Sequence, residues 1–190
     1  MSTAHSTGSG KAKGLNERLL VGNWELVGLL DQKQEMWGQK VLGVPVLGDD
    51  TIIQKLYDSG IRSAFIGLGT TGDTGPRRRL YEKARRHNLD VVQAIHPQSL
   101  VASSVIMGHG VTIMAGAVVN AAATLGDNVI INTGSIVEHD CSLRNHVHIA
   151  TGAVLAGGVT VGSGALLAAA PRLRKESWWA RVQSLALARL

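Results

Sequence analysis

Seven histidines and a single cysteine are the side chains of this sequence best suited to proton transfer or nucleophilic attack. One histidine is set apart by its neighbours: His139 lies between two carboxylates, Glu138 and Asp140. An imidazole oriented by a carboxylate can take a proton near neutral pH, so the triplet is a candidate general base. Taken alone, it fits a surface histidine equally well. His109 and His146 read as solvent-facing, and His96, beside Pro97, marks a domain junction.

The element that positions His139 is a repeat. Stepping by six from Val101 meets Met107, Ile113, Val119, Leu125, Ile131, Val137, Leu143, Ile149, Leu155, Val161 and Leu167, all aliphatic or Met. Four places further on in each hexad the residues are small or β-branched, from Val105 to Ala165; the pattern fails at Pro171. A period of six matches neither a helix nor a simple strand. It is the hexapeptide repeat, in which three short sides make a triangular coil of about 18 residues and coils stack as parallel strands. The large inward residue fills the prism and the small one leaves room for it. Cys141 occupies a small inward position and reads as a buried core thiol rather than a nucleophile. A coil of about 18 residues also places His139 one rung, about 4.8 Å, from Gly157. The bare backbone of a glycine can approach a substrate closely, so the two form a plausible pair of base and oxyanion donor.

Upstream, residues 15–95 alternate between strand and helix. Strands are expected over Trp24–Asp31, Ser63–Leu68 and Leu89–Ile95, helices over Thr51–Ser59 and Arg77–Asn88, and a turn-rich segment over Val41–Leu47. Pro76 opens the second helix. Such alternation implies a small parallel sheet. Asp31, at a strand end, suits either a ribose hydroxyl or a simple turn. The run from Gly8 to Gly14 has nothing apolar before it, so residues 1–14 read as a flexible tail. The basic cluster from Arg77 to Arg86 reads as the solvated face of a helix; it lacks the interleaved aromatics of a nucleic-acid platform, and no nucleic-acid partner is expected. The net charge of +5 can attract anions. One cysteine rules out an internal disulfide, and no apolar run reaches the length of a membrane span. With no signal-like segment, a soluble cytoplasmic protein is expected.

The stretch Asn128–Cys141, which holds Glu-His-Asp, resembles the bacterial sialic-acid O-acetyltransferase and UDP-amino-sugar N-acetyltransferase family (NeuD/PglD-like). So do His146–Val159 with its Leu-Ala-Gly-Gly, Leu42–Gly48, and Ile95-His-Pro97. The resemblance spans residues 20–167. It implies a Rossmann-like α/β domain over residues 15–95 that binds a sugar nucleotide and is incomplete at its start. A left-handed parallel β-helix over residues 96–170 would follow, assembled as a homotrimer with acetyl-CoA in a groove between neighbouring subunits. It makes His139 the general base, oriented by Glu138 or Asp140. His148 would line the acyl site, and the Gly157 N–H, in the Gly157-Gly158 pair, would hold the thioester carbonyl. The implied activity is acetyl transfer from acetyl-CoA to an amino sugar, sialic acid or sugar nucleotide in surface-glycan synthesis, without a metal. The alternative is a trimeric β-helix scaffold that has lost its ligand sites. Residues 171–190 read as a basic amphipathic helix that could cap the β-helix or bind a partner or membrane surface.

Overall fold

The computed structural model describes residues 2–5, 26–70 and 72–168. The chain divides into two compact units, Met1–Gly69 with Pro76–Ala94, and Thr70–Gly75 with Ile95–Leu190. The helix expected over residues 171–190 lies outside the described residues.

The first unit is an α/β sheet. Its strands are β1 (Ser2–His5), β2 (Leu26–Leu30), β3 (Lys40–Val41), β4 (Val44–Gly48), β5 (Ser63–Ile66) and β6 (Asp90–Val91), in the order β3-β4-β2-β1-β5-β6. All neighbours run parallel except the β3–β4 pair. That pair is a hairpin whose two-residue turn, Leu42 (φ 52°) and Gly43 (φ 83°), has the positive dihedrals that match strand twist. The turn-rich segment expected over Val41–Leu47 is therefore mostly strand. The expected tail at residues 1–14 also needs correcting. Ser2–His5 form the central strand, paired with β2 on one side and β5 on the other. Four small or polar residues carry no alternating apolar pattern, so the sequence hid the strand.

Two helices, α1 (Ile53–Asp58) and α2 (Gly75–Arg86), follow the sheet strands. Leu80, Tyr81 and Ala84 of α2 are buried in one apolar cluster with Leu30, Ala64, Ile66 and Val91. This is the helical spacing of an amphipathic face. Arg77 departs from the solvated face expected of it. It is buried, and its guanidinium donates to the carbonyls of Ile66 and, at 2.8 Å, Leu68. Burial pushes its pKa down to about 9. The rest of the cluster behaves as expected at the surface: Arg78 pairs with Glu82 at 2.6 Å, and Arg85 with Asp90 at 3.6 Å.

The second unit is the left-handed parallel β-helix. A two-residue strand begins every six residues from Ala94 to Leu166, so the repeat starts one hexad before Val101. Three flat faces result. One stacks Ala94–Ile95, Thr112–Ile113, Ile130–Ile131, His148–Ile149 and Leu166–Leu167. The second stacks Leu100–Val101, Val118–Val119, Ile136–Val137 and Val154–Leu155, and the third Ile106–Met107, Thr124–Leu125, Ser142–Leu143 and Thr160–Val161. Partners are always eighteen residues apart, as in Thr112–Ile130–His148–Leu166. The inward residues Ile113, Val119, Leu125, Ile131, Val137, Leu143, Ile149 and Leu155 are essentially inaccessible. The small inward positions Ala117, Ala123, Val129, Ser135, Cys141 and Val147 are equally buried. The Cys141 Sγ donates to the Ala156 carbonyl at 3.2 Å, and burial pushes its thiol pKa up, as expected of a core thiol. Among the described residues no helix is long and apolar enough to cross a membrane.

From Gly110 to Gly164 each corner of the prism holds one residue in the left-handed region, recurring every six positions. Glycine, Asn128, Asp140 and His146 fill all but one of them, the residue types that tolerate this region best. Ala122 (φ 58°) is the exception. Its Cβ crowds the following carbonyl at a cost of about 1–2 kcal/mol, whereas glycine pays about 0.5–1 kcal/mol in unfolded-chain entropy. Ala122→Gly should therefore stabilise the protein by about 0.5–1 kcal/mol, read as a higher denaturant midpoint at unchanged m-value.

Candidate active site

His139 sits at the corner between the face of Ile136–Val137 and the face of Ser142–Leu143, with its side chain about two-thirds exposed. The corner turn is held from both sides: the Asp140 N–H donates to the Ala121 carbonyl one coil before at 3.0 Å. One coil after, the Gly158 N–H donates to the His139 carbonyl at 2.8 Å. The backbone at His139 is thus fixed by the coil register although its side chain reaches solvent.

The His139 Nδ1 lies 2.8 Å from Asp140 Oδ2. Because a carboxylate only accepts, this contact puts the proton of the neutral ring on Nδ1 and leaves Nε2 with its lone pair. Of the two acidic neighbours the sequence left open, Asp140 is the one that holds the ring. Glu138 faces the other way along its column: its Oε2 accepts from the Asn120 amide at 2.8 Å, one coil earlier. Asn120 escaped the sequence reading, although the eighteen-residue spacing that links His139 to Gly157 also links Asn120 to Glu138.

The expected stacking of His139 on Gly157 is present and closer than a rung. A Cβ on Gly157 would lie 2.7 Å from both Cε1 and Nε2 of His139. The imidazole therefore rests over the bare Cα, with its unprotonated nitrogen toward it. The Gly157 N–H donates to no described residue, while the Gly158 N–H is spent on His139. Of this glycine pair, Gly157 retains a donor and Gly158 (φ 68°) makes the turn.

His148 is not brought to this corner. It lies in a strand of another face, where it is buried. Its Nε2 is 3.1 Å from the Asn132 amide nitrogen, and its Nδ1 meets the Thr70 hydroxyl. Neither Thr70 nor Asn132 was singled out from sequence. Thr70 comes from a segment seventy-eight residues away and carries no local signal. Asp31 follows the last residue of β2 and is buried; its Oδ1 accepts from the Lys33 N–H at 2.8 Å and its carbonyl from the Trp37 indole at 2.8 Å. That is the arrangement of an Asx turn.

A β-helix whose corner carries a carboxylate-held histidine over a glycine defines a class, and the chain belongs to the hexapeptide-repeat sugar acetyltransferases. Its structural relatives include a perosamine N-acetyltransferase from Caulobacter crescentus, a histidine-to-asparagine variant in complex with CoA and GDP-perosamine. That protein is 38% identical, with a TM-score of 0.78 over 88% of this chain and 77% of its own. PerB from Caulobacter crescentus, in complex with CoA and GDP-perosamine, is 32% identical, with a TM-score of 0.66 over 90% and 89% of the two chains. The acetyltransferase domain of PglB from Neisseria gonorrhoeae, in complex with acetyl coenzyme A, is 27% identical, with a TM-score of 0.67 over 88% of each. No family model matches the chain, and no curated protein does.

Gly157→Ala tests the close approach. The new methyl would force the exposed imidazole aside while the buried coil stays in place. The expected result is an unchanged far-UV spectrum and thermal midpoint within about 2 °C, with acetyl transfer reduced about 100-fold, the scale on which a misplaced catalytic group costs rate.

Proposed function

We propose that this enzyme transfers the acetyl group of acetyl-CoA to the amino group of a nucleotide-linked amino sugar used in surface-glycan synthesis. The observation that carries the reading is the corner of the β-helix. There Asp140 holds His139 by Nδ1, Nε2 keeps its lone pair, and the bare Cα of Gly157 lies against the ring. The relatives support it: one Caulobacter N-acetyltransferase carries CoA and GDP-perosamine in variants in which a single histidine is replaced by Asn or by Ala.

In this reading acetyl-CoA supplies the activated acetyl group. His139 Nε2 accepts the proton shed by the attacking amine, and Asp140 stabilises the imidazolium that results. The Gly157 N–H donates to the acetyl oxygen as negative charge develops there. Gly158 sets the turn that aims it, and His148, which lies on another face, would line the acyl side of the groove only from a neighbouring copy. Glu138, held by Asn120, adds negative charge near the acceptor, whose ammonium form gives one proton to solvent before the free amine attacks. The proton on His139 then leaves to solvent or to the departing thiolate.

The α/β unit is the proposed sugar-nucleotide module, of Rossmann-like type. Its parallel strands β4-β2-β1-β5-β6 follow the 3-2-1-4-5 order, with the direction of winding reversed at β1. Ligands of such sheets bind outside the carboxyl ends of the strands at that reversal. Asp31 lies at the carboxyl end of the neighbouring β2 and is the proposed ribose contact.

The active form is proposed to be a homotrimer. The outward residues of the second β-helix face are Leu100, Val118, Ile136 and Val154, an unbroken aliphatic row in which Leu100 is 69% exposed. The third face carries Ile106, Thr124, Ser142 and Thr160 in the same places, an aliphatic residue only in its first coil. An apolar row of this kind marks an association surface. It borders the His139 corner, so a neighbouring copy would complete the acyl groove.

The central test is thiol release from acetyl-CoA with GDP- and UDP-linked amino sugars and with sialic acid. Turnover is expected with an amino-sugar nucleotide. His139→Ala should lower kcat about 10²–10⁴-fold, the usual worth of a general base, and Asp140→Asn about 10–100-fold. No turnover with any acceptor, together with no acetyl-CoA binding by calorimetry, would identify the scaffold instead. Assembly is tested separately by light scattering on a sizing column. The wild type should elute at three times the chain mass, and Ile136→Asp as a monomer with diminished activity.

A further inference from the structure

The placement of His148 carries information beyond the transfer reaction. Its ring is 5% exposed, and a described side chain meets each of its nitrogens. The Asn132 amide fixes the proton. The Thr133 N–H donates to Asn132 Oδ1 at 2.8 Å, so Oδ1 is the oxygen and Nδ2 the nitrogen. That assignment turns an NH2 group toward His148 Nε2 at 3.1 Å. A nitrogen facing an amide donor must be an acceptor, so Nε2 is bare. The neutral ring then carries its proton on Nδ1, where the Thr70 hydroxyl can accept it.

Thr70 belongs to a short segment, Thr70–Gly75, that groups with the β-helix rather than with the sheet that precedes it. The segment is tied again at its other end, where the Thr74 hydroxyl donates to the Gly164 carbonyl at 2.8 Å. Gly164 lies just before Leu166, the strand partner of His148. The hydroxyl of Thr70 is therefore held against the ring by its own chain.

We infer that Thr70 is a positioning residue: with Asn132 it locks His148 as a neutral imidazole protonated on Nδ1, a ring that presents shape and no N–H to an acyl group. The consequence for the proposed reaction is a division of labour. His148 forms a wall, and the donor to the acetyl oxygen is the Gly157 N–H alone on this chain's corner. The kinetic consequence rests on the acetyl-transfer reading; the protonation state does not.

The test is therefore made on the ligand-free protein. Long-range proton–nitrogen correlation spectra at pH 7 read the protonation of each histidine ring, with His148 assigned by comparison with His148→Gln. The expected pattern is a protonated Nδ1 and a bare Nε2. Thr70→Val should weaken the preference for Nδ1 and shift the Nδ1 resonance, leaving Asn132 alone to hold the proton there, and Thr70→Ser should keep the wild-type pattern. Asn132→Asp should move the proton to Nε2, because a carboxylate there can only accept. In the acetyl-transfer assay Thr70→Val should lose about tenfold in kcat with little change in KM for acetyl-CoA, and Thr70→Ser should recover it; tenfold corresponds to about 1.4 kcal/mol, one hydrogen bond. A wild-type ring protonated on Nε2 or on both nitrogens would overturn the inference. So would a Thr70→Val spectrum identical to wild type. Absence of any acetyl transfer would refute the enzyme reading while leaving the spectra able to decide the tautomer.

Discussion

The structure depends on one constraint: every coil of the β-helix pairs with the next at a register of eighteen residues, with no slip from Thr112 to Leu167. Parallel pairing leaves no freedom to shift by one, because a one-residue slip would turn each inward aliphatic residue outward. The ladder of backbone hydrogen bonds and the filled prism therefore enforce each other. Together they produce straight columns in which chemistry can be assembled from residues a full coil apart. Asn120 beneath Glu138, and His139 beneath Gly157, are such columns.

This explains how an exposed histidine can be placed accurately. His139 gains little from packing, yet its carbonyl and that of Ala121 are anchored to the neighbouring rungs. The ring then needs only Asp140 to set its rotation and a glycine to leave space. A rigid element supplies the position and two short-range contacts supply the orientation, so the site does not require a buried pocket.

The sequence revealed those parts of the molecule that follow a period. The hexads, the buried Cys141 and the His139–Gly157 stack were legible because each depends on counting alone. The helix α2 was legible from its apolar spacing, but Arg77 was not: an arginine at the edge of that face looks solvated unless the carbonyls of Ile66 and Leu68 are known to lie within its reach. The strand Ser2–His5 was missed because its pairing with both neighbours, rather than its composition, makes it a strand. The contact of Thr70 with His148 joins residues remote in sequence and obeys neither period, so nothing local announced it. The choice between Glu138 and Asp140 likewise needed coordinates, since both adjoin the same histidine.

Asp140 also occupies a corner with φ 58°, a conformation that Gly158 adopts one coil later without a Cβ. The residue that holds the imidazole thus carries a Cβ where glycine would be freer, although aspartate tolerates this region better than most residues. Heat-resistance screening without an activity criterion would favour Asp140→Gly, yielding a hardier coil with an untethered imidazole. At this single position the ease of the backbone and the hold on the imidazole pull in opposite directions.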